Sequence, residues 1–524
     1  MSTKAWHDFE CGIIAEEECY SLIADLLSVP HDDIADTIKG AKISLRPDDK
    51  MLSILKDIKN MSQGELKIHL MSNISQPHWD YVRSMEAPWH IFDQIFTSAG
   101  AHMRKPDLCF YKHVLESIGL TKSPSSVLFI DDKLENVCSA QAVGMKGLAF
   151  DNADNVVQQV RNMLGEPVAR GTKYLKGNAK QLRTICNTPT LCDIDMKENF
   201  AQLLILENTG DKSLVELKDY HMLWNFFQDK PILTTIEFPN DYDTTSLALT
   251  ILNGYHPPSV INQILNASLA NQSPDHLPLV YDDPTRPRFD PVVCVHIYTL
   301  FHLSRRGHEL RPTWEYICNF LDFRAYEQGT YYYAPPEYFL YALARLISYA
   351  RKRKTPLPTL PKHLASHTKH KTTTLLDLLK IRCHERINTA PSNAMSLALR
   401  MVACRVTGIP PADLEADANR LKALQEPDGS WPWCEIYRAP GAKAAIGSRG
   451  VVTSFAVKAL EMIDGDKDDY NNGYVAASKR SLRSAVRVWG LWALPVVLRR
   501  AISLVSSVTA NAVPAGFRAK GHLV

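Results

Sequence analysis

The chain has 524 residues, enough for two or more domains with complete cores, and its 45% hydrophobic and 22% charged residues are the balance of an ordinary globular protein. A net charge of +2 excludes a global field that would select nucleic acid. Eleven cysteines offer no CxxC pair and no zinc-type spacing, and neither a signal-type apolar segment at the start nor an apolar run of about 18 residues is found. The expectation is a cytoplasmic protein with reduced thiols and no membrane-spanning helix.

In chain order, residues 1–60 read as helices, with a mixed, charged segment at 10–23 and a helix at 48–58 after Pro47. Residues 66–71, 94–98, 126–130 and 146–150 are short apolar strands, and Arg104-Lys105-Pro106-Asp107 opens a helix between the second and third. Strands alternating with helices argue for a parallel α/β sheet, and Ser72 and Asp131-Asp132 stand at strand ends, where such sheets carry their sites. Residues 152–164 form a last helix, and 165–177, with Gly, Pro and Lys, read as connection.

From about 197 onward the apolar spacing is helical, at 199–206, 217–227, 245–252, 258–269, 292–303, 313–320, 336–349, 375–386, 394–406, 411–424 and 451–462. Helix after helix suits an array or barrel of antiparallel pairs. The basic stretch 351–371 reads as a solvated loop, with an anion-binding patch as the alternative. Beyond Ser478 no acidic residue occurs, and arginines and lysines alternate with apolar residues. That tail suits a basic helix on an anionic membrane surface, a helix docked on the barrel, or a disordered end, with Pro495 interrupting any helix.

Within this half lies Phe238-Pro239-Asn240-Asp241-Tyr242-Asp243-Thr244-Thr245, followed by an apolar helix. Two readings stand. Asp and Thr before a helix serve as an N-cap. Alternatively, if Asp241 and Asp243 lie on one face of an extended entry, two carboxylates share a site and one keeps its proton near neutral pH. A protonated carboxyl in an apolar chamber can protonate an alkene. The aromatic residues Tyr331, Tyr332 and Tyr333, with Trp224, Phe227, Phe289, Tyr298, Phe301 and Tyr326, are individually core candidates and collectively suited to a carbocation chamber.

Asp241-Tyr242-Asp243-Thr244-Thr245 resembles the DxDTT form of the class II terpene cyclase acid motif, and Gln425-Glu426-Pro427-Asp428-Gly429-Ser430-Trp431 resembles the structural QW element of the same cyclases. Ser72, Lys105 and Asp131-Asp132, within Asp131-Asp132-Lys133-Leu134-Glu135, match in order the second, third and fourth motifs of the haloacid dehalogenase-like superfamily. The combination, over residues 9–460, resembles the fungal and bacterial drimane-type sesquiterpene synthases.

The resemblance implies a multidomain α/β plus all-α chain. A dehalogenase-like domain would span 1–165, a linker 166–196, a helical class II cyclase domain 197–470 and a basic tail 471–524. It implies Asp243 as the general acid toward the terminal alkene of farnesyl diphosphate. Asp241 would keep Asp243 protonated and oriented, with Thr244 and Thr245 as hydrogen-bond partners. It implies phosphate binding by Ser72 and Lys105, and Mg²⁺ on Asp131, Asp132 and Glu135.

The superfamily's first motif, a strand ending in a nucleophilic Asp, has no counterpart before Ser72. Either the sheet has lost its central strand or the sequence starts late. The covalent route to phosphate hydrolysis needs that carboxylate. The expected product is therefore a drimane-type diphosphate, with downstream phosphatases finishing the alcohol. The alternatives are a bifunctional synthase releasing drimenol or albicanol, with a nucleophile hidden among Asp8, Glu10 and Asp48-Asp49, and a non-catalytic prenyl-diphosphate-binding scaffold.

Overall fold

The computed structural model describes residues 3–61, 66–188, 193–218, 221–367, 373–439, 441 and 443–465. They fall into two units divided between Val157 and Gln158. The basic tail lies outside the described residues.

The first unit contains strands β1 (His69–Ser72), β2 (Gln94–Thr97), β3 (Leu128–Asp131) and β4 (Lys146–Ala149). β1 pairs with β2 in parallel, Ser72 opposite Thr97, and β3 pairs with β4 in parallel, Asp131 opposite Ala149. Helices Gln76–Arg83, Leu108–Ser117 and Leu134–Ala142 lie between successive strands, as parallel pairing requires. Among the described residues no strand hydrogen-bonds to both pairs. The sheet is thus in two halves, where the sequence offered no central strand. Met71, Phe110, Tyr111, Val114 and Phe129 form the core beneath it. The charged segment 10–23 is not one helix: Gly12, at φ +69°, turns the chain between helices Lys4–Glu10 and Glu16–Leu27.

The second unit is built on helices Asn199–Thr209, Tyr242–Ile251, Pro291–Leu303, Pro336–Arg353, Ala394–Val406 and Arg449–Asp464. Each packs on the next and the last packs on the first, which closes a ring. These helices are buried on nearly every side, which explains their almost unbroken apolar sequences. Helices Pro167–Gly177, Arg311–Asp322, Leu375–Arg386 and Glu415–Ala423 pack around that ring.

Three expectations are corrected. The linker placed at 166–196 is folded: helix Pro167–Gly177 packs on Arg449–Asp464, and Gly171 allows the approach, since a Cβ there would meet Val457 Cγ2 at 2.6 Å. The rest of that stretch supplies β5 (Thr184–Asn187) and β6 (Ile194–Met196). These join β7 (Glu435–Ala439) and β8 (Ala444–Gly447) in an antiparallel sheet of order β6-β5-β8-β7. So the helical half also holds a small sheet, whose three- to five-residue strands are too short to show alternation. Finally, no helix forms within 221–227, because the backbone there serves its neighbours. Asn199 N donates to Phe226 O, Asp241 N donates to Trp224 O, and Phe227 bridges to Glu198.

The Gln425–Trp431 turn has the structural role expected of it. Gln425 Nε2 donates to Pro167 O and Gly429 O at 2.8 and 2.9 Å, and the fully buried Trp431 donates Nε1 to Leu421 O at 2.7 Å.

Candidate active site

Asp241 is the N-cap of helix Tyr242–Ile251. Its backbone is extended and its Oδ1 accepts Thr244 N at 2.5 Å, while Thr245 Oγ1 donates to Asp241 O at 2.6 Å and accepts Trp224 N at 2.8 Å. The capping reading therefore holds for Asp241. Asp243 already lies in the first helical turn, so cap geometry, not strand alternation, sets the pair. Thr244 and Thr245 hold Asp241, whereas the polar partners of Asp243 come from elsewhere. His296 Nδ1 stands 2.6 Å from Asp243 Oδ1, and the Tyr333 hydroxyl donates to Asp243 Oδ2.

Asp290 ties these two partners together. It caps helix Pro291–Leu303, which carries His296, with Oδ1 accepting Val292 N at 2.8 Å. Its Oδ2 accepts Tyr332 N at 3.2 Å and so fixes the loop that presents Tyr333. Tyr333 stacks on Tyr338 at a ring separation of 4.5 Å, and Phe200 lies 6.1 Å from both His296 and Tyr333. Tyr437 on β7 bridges to Tyr333 and donates to Glu198 Oε1 at 3.3 Å.

The site is dry: Asp241 is 4% and Asp243 8% exposed. Burial, then the charge of Asp243, pushes the Asp241 carboxyl up to about 8. The pair therefore holds a proton at neutral pH. Asp241 Oδ2 is buried without a hydrogen-bond partner, as is His296 Nε2. Burial also pushes Glu198 up to about 7. Such an arrangement can keep a proton in an apolar interior and stabilise the carboxylate left when a proton departs, because both Asp243 oxygens have partners.

His296, Tyr338 and Phe200 were not legible as site residues, and Tyr333 stood only as one of three adjacent tyrosines. The available signal was His296 itself, a titratable ring in an otherwise apolar run, which needs a buried partner. Of the other aromatic candidates, Tyr298, Phe301 and Tyr326 fill the core, and Phe289 is 39% exposed.

In the first unit Lys105 is wholly buried. Its ammonium donates to Asp131 Oδ2 at 2.8 Å and to Met71 O at 3.0 Å, and so links the ends of β3 and β1. Ser72 adjoins that carbonyl. Asp131 Oδ1 accepts Lys133 N and Asn136 Nδ2, each at 2.9 Å. Asn73, not foreseen, clamps the backbone of Lys105 at both its N–H and C=O. Lys105 thus joins the ends of β1, which closes with Ser72, and of β3, which closes with Asp131. Burial pulls the Lys105 pKa down, against the charge of Asp131.

Of the carboxylates named for a cation, Asp131 is buried, Asp132 half-buried and Glu135 exposed. Among the described residues no three acidic, imidazole or thiol side chains are grouped to hold a metal. The ammonium of Lys105 takes one Asp131 oxygen and two N–H donors take the other, while Glu135 is exposed. A cavity of about 720 Å³ adjoins Lys105, lined among others by Asp8, His102, Arg104 and Asn136. Of the replacement nucleophiles considered, Asp8 lines this cavity but pairs with Lys4, Glu10 bonds Trp6 and Arg104, and Asp48 caps Met51 N.

A buried acid pair at the mouth of a helix in a closed helical ring, preceded by a dehalogenase-like unit, defines a class II terpene cyclase with an added α/β unit. The family described as the sesquiterpene cyclase astC-like C-terminal domain matches residues 168–304. The chain is 38% identical over 460 residues to the drimenol cyclase drtB of Aspergillus calidoustus, covering 88% of this chain and 82% of that protein. It is 39% identical over 165 residues to the sesquiterpene phosphatase astK of Aspergillus oryzae, covering 32% of this chain and 82% of that one. The solved type II terpene cyclase MstE from Scytonema aligns at 12% identity and a TM-score of 0.38, over 58% of this chain and 97% of that one. The chain belongs to the drimane-type sesquiterpene cyclase family.

Proposed function

We propose that this cyclase converts farnesyl diphosphate to a bicyclic drimane-type diphosphate, with Asp243 as the acid. The observation that carries the reading is the buried Asp243 carboxyl, bonded at one oxygen by His296 and at the other by Tyr333, among the rings of Phe200 and Tyr338. Protonation of the terminal alkene leaves a carbocation, and ring closure moves that charge along the chain. The aromatic faces stabilise it without trapping it. Loss of a proton ends the reaction as an isomerisation, so the diphosphate stays on the product.

Sesquiterpene substrates are supported by the two relatives, a drimenol cyclase and a sesquiterpene phosphatase. A bound Mg²⁺ would neutralise diphosphate charge, but nothing in the steps above passes through it. A second reading, that the first unit also cleaves the diphosphate, is favoured by the likeness to a sesquiterpene phosphatase. Weighing against it, Asp131, the carboxylate bonded to Lys105, is ion-paired and fully used. The test is mass spectrometry of the protein with farnesyl diphosphate and Mg²⁺, before and after added phosphatase. A bicyclic diphosphate that becomes a drimane alcohol only after phosphatase is the expected result. Free alcohol formed at the rate of substrate loss would establish the second reading.

A further inference from the structure

The helices that carry Phe200 and Tyr338 to the acid each bear a charged residue seven positions later: Glu207 and Arg345. At 1.5 Å per residue, that places a second polar station about 10.5 Å farther along both helices. Arg345 Nε donates to Glu207 Oε1 at 2.6 Å, and Tyr349 and Tyr341 donate to the two Glu207 oxygens. Arg345 is 4% exposed and its guanidinium lies over the Tyr349 ring at 4.9 Å, but Nη1 and Nη2 have no hydrogen-bond partner. Buried guanidinium donors are costly when unpaired. Lys458 stands on the helix Arg449–Asp464, donates to Asn208 Oδ1 at 3.0 Å, and adds a second cation beside Glu207. Lys352 lies over the Tyr349 ring at 5.8 Å and is exposed. Three cations therefore share one paired carboxylate where the helix Pro336–Arg353 reaches the surface. Burial raises the pKa of the nearby Glu461 and so lessens its opposing charge.

We propose that Arg345 and Lys458 form the binding site for the diphosphate of the prenyl substrate, which rests on the cyclisation reading above. The unpaired Arg345 N–H groups match a phosphate's acceptor oxygens in geometry and charge. The excess positive charge there favours an anion. The spacing fits a folded fifteen-carbon chain whose terminal alkene lies at Asp243 and whose other end lies toward solvent. The site would fix the substrate's direction, so that the alkene rather than the diphosphate meets the acid.

The test uses the full chain, with inorganic diphosphate as the probe. Inorganic diphosphate inhibits the wild type competitively and binds it in calorimetry. Arg345→Gln and Lys458→Gln each raise the KM for farnesyl diphosphate and weaken diphosphate binding by roughly ten- to a hundredfold, as for loss of a charge-assisted hydrogen bond. They also narrow the preference for farnesyl diphosphate over farnesol by a similar factor, which a merely structural role does not. Should Arg345→Gln lose native circular dichroism, the half-buried Lys458 decides alone. A folded Lys458→Gln protein with unchanged diphosphate affinity overturns the proposal while leaving cyclisation standing. Diphosphate binding without any cyclised product instead overturns the cyclisation reading.

Discussion

His296 Nδ1 lies 2.6 Å from Asp243 Oδ1 across 53 positions of sequence. That contact separates the roles of two aspartates that sit two residues apart. Asp243 is bonded by the groups suited to steady the carboxylate left after proton transfer, and Asp241 caps the helix beside it. Asn in place of Asp243 keeps the size but cannot deliver a proton. Cyclisation by Asp243→Asn should fall by at least about 10³-fold, judged by product formation in a folded protein. Asp241→Asn mimics the neutral form already present and should retain a much larger share. Equal losses would reverse the assignment.

Tyr333→Phe keeps the stacked ring and removes the donor to Asp243 Oδ2. The expected effect is a fall of about ten- to a hundredfold in kcat with little change in KM, since the lost bond matters most when the carboxylate forms. A rise in KM at constant kcat would place Tyr333 in substrate binding instead.

Asp241 also makes stability depend on pH. Its folded pKa is about 8 against 3.8 ordinarily, so between these values the folded protein keeps a proton that the unfolded chain has released. The stabilisation is complete below about pH 4 and is lost as the pH rises through about 8. Asp241→Asn cannot titrate. Between pH 5 and 8.5 the wild-type melting temperature should therefore drop relative to that of Asp241→Asn. Parallel curves would show that Asp241 is ionised in the folded protein.

Lys105→Met leaves Asp131 as a buried carboxylate without its cation. Breaking a buried pair in this way costs about 3–5 kcal/mol. Denaturant unfolding should show that loss in the first unit's transition, with the carbon skeleton of the cyclised product unaltered.

Gly429 sits at φ +92°, and a Cβ there would lie 2.6 Å from Arg170 O. Gly429→Ala should destabilise the second unit by about 1–3 kcal/mol, through strained backbone and a displaced helix Pro167–Gly177. A melting temperature equal to wild type would show that the turn relaxes freely.

The fold was legible where one element carried its own periodicity. The four strands of the first unit and most helices of the second were placed within a few residues, because continuous apolar runs and 3.6-residue spacing are local signals. The sheet β6-β5-β8-β7 was not, because its strands are short and their partners are distant in sequence. The site followed the same division. Asp241, Asp243, Ser72, Lys105 and Asp131 stand in recognisable order along the chain. His296 and Tyr333 reach Asp243, and Tyr338 reaches Tyr333, only through tertiary packing, which no local pattern reports. At the sheet edge the order of the carboxylates Asp131-Asp132 was readable, but the position of the Lys105 ammonium between strand ends was not.

The pairing of β5 with β8 has a consequence for how this enzyme comes into being. Ser448 Oγ bonds Arg183 O across 265 positions, and the helix that closes the ring follows directly, at Arg449–Asp464. Tyr437 on β7, in turn, backs Tyr333. During synthesis the strand at 184–187 soon meets β6 but waits for its other neighbour, β8 at 444–447, until well after the acid pair at 241 and 243 has emerged. A nascent or prematurely terminated chain therefore holds the acid motif without the walls that make it a proton donor. The ring closes only with helix Arg449–Asp464, so a nonsense mutation upstream of that helix, though downstream of Asp243, is expected to abolish cyclisation as fully as loss of Asp243.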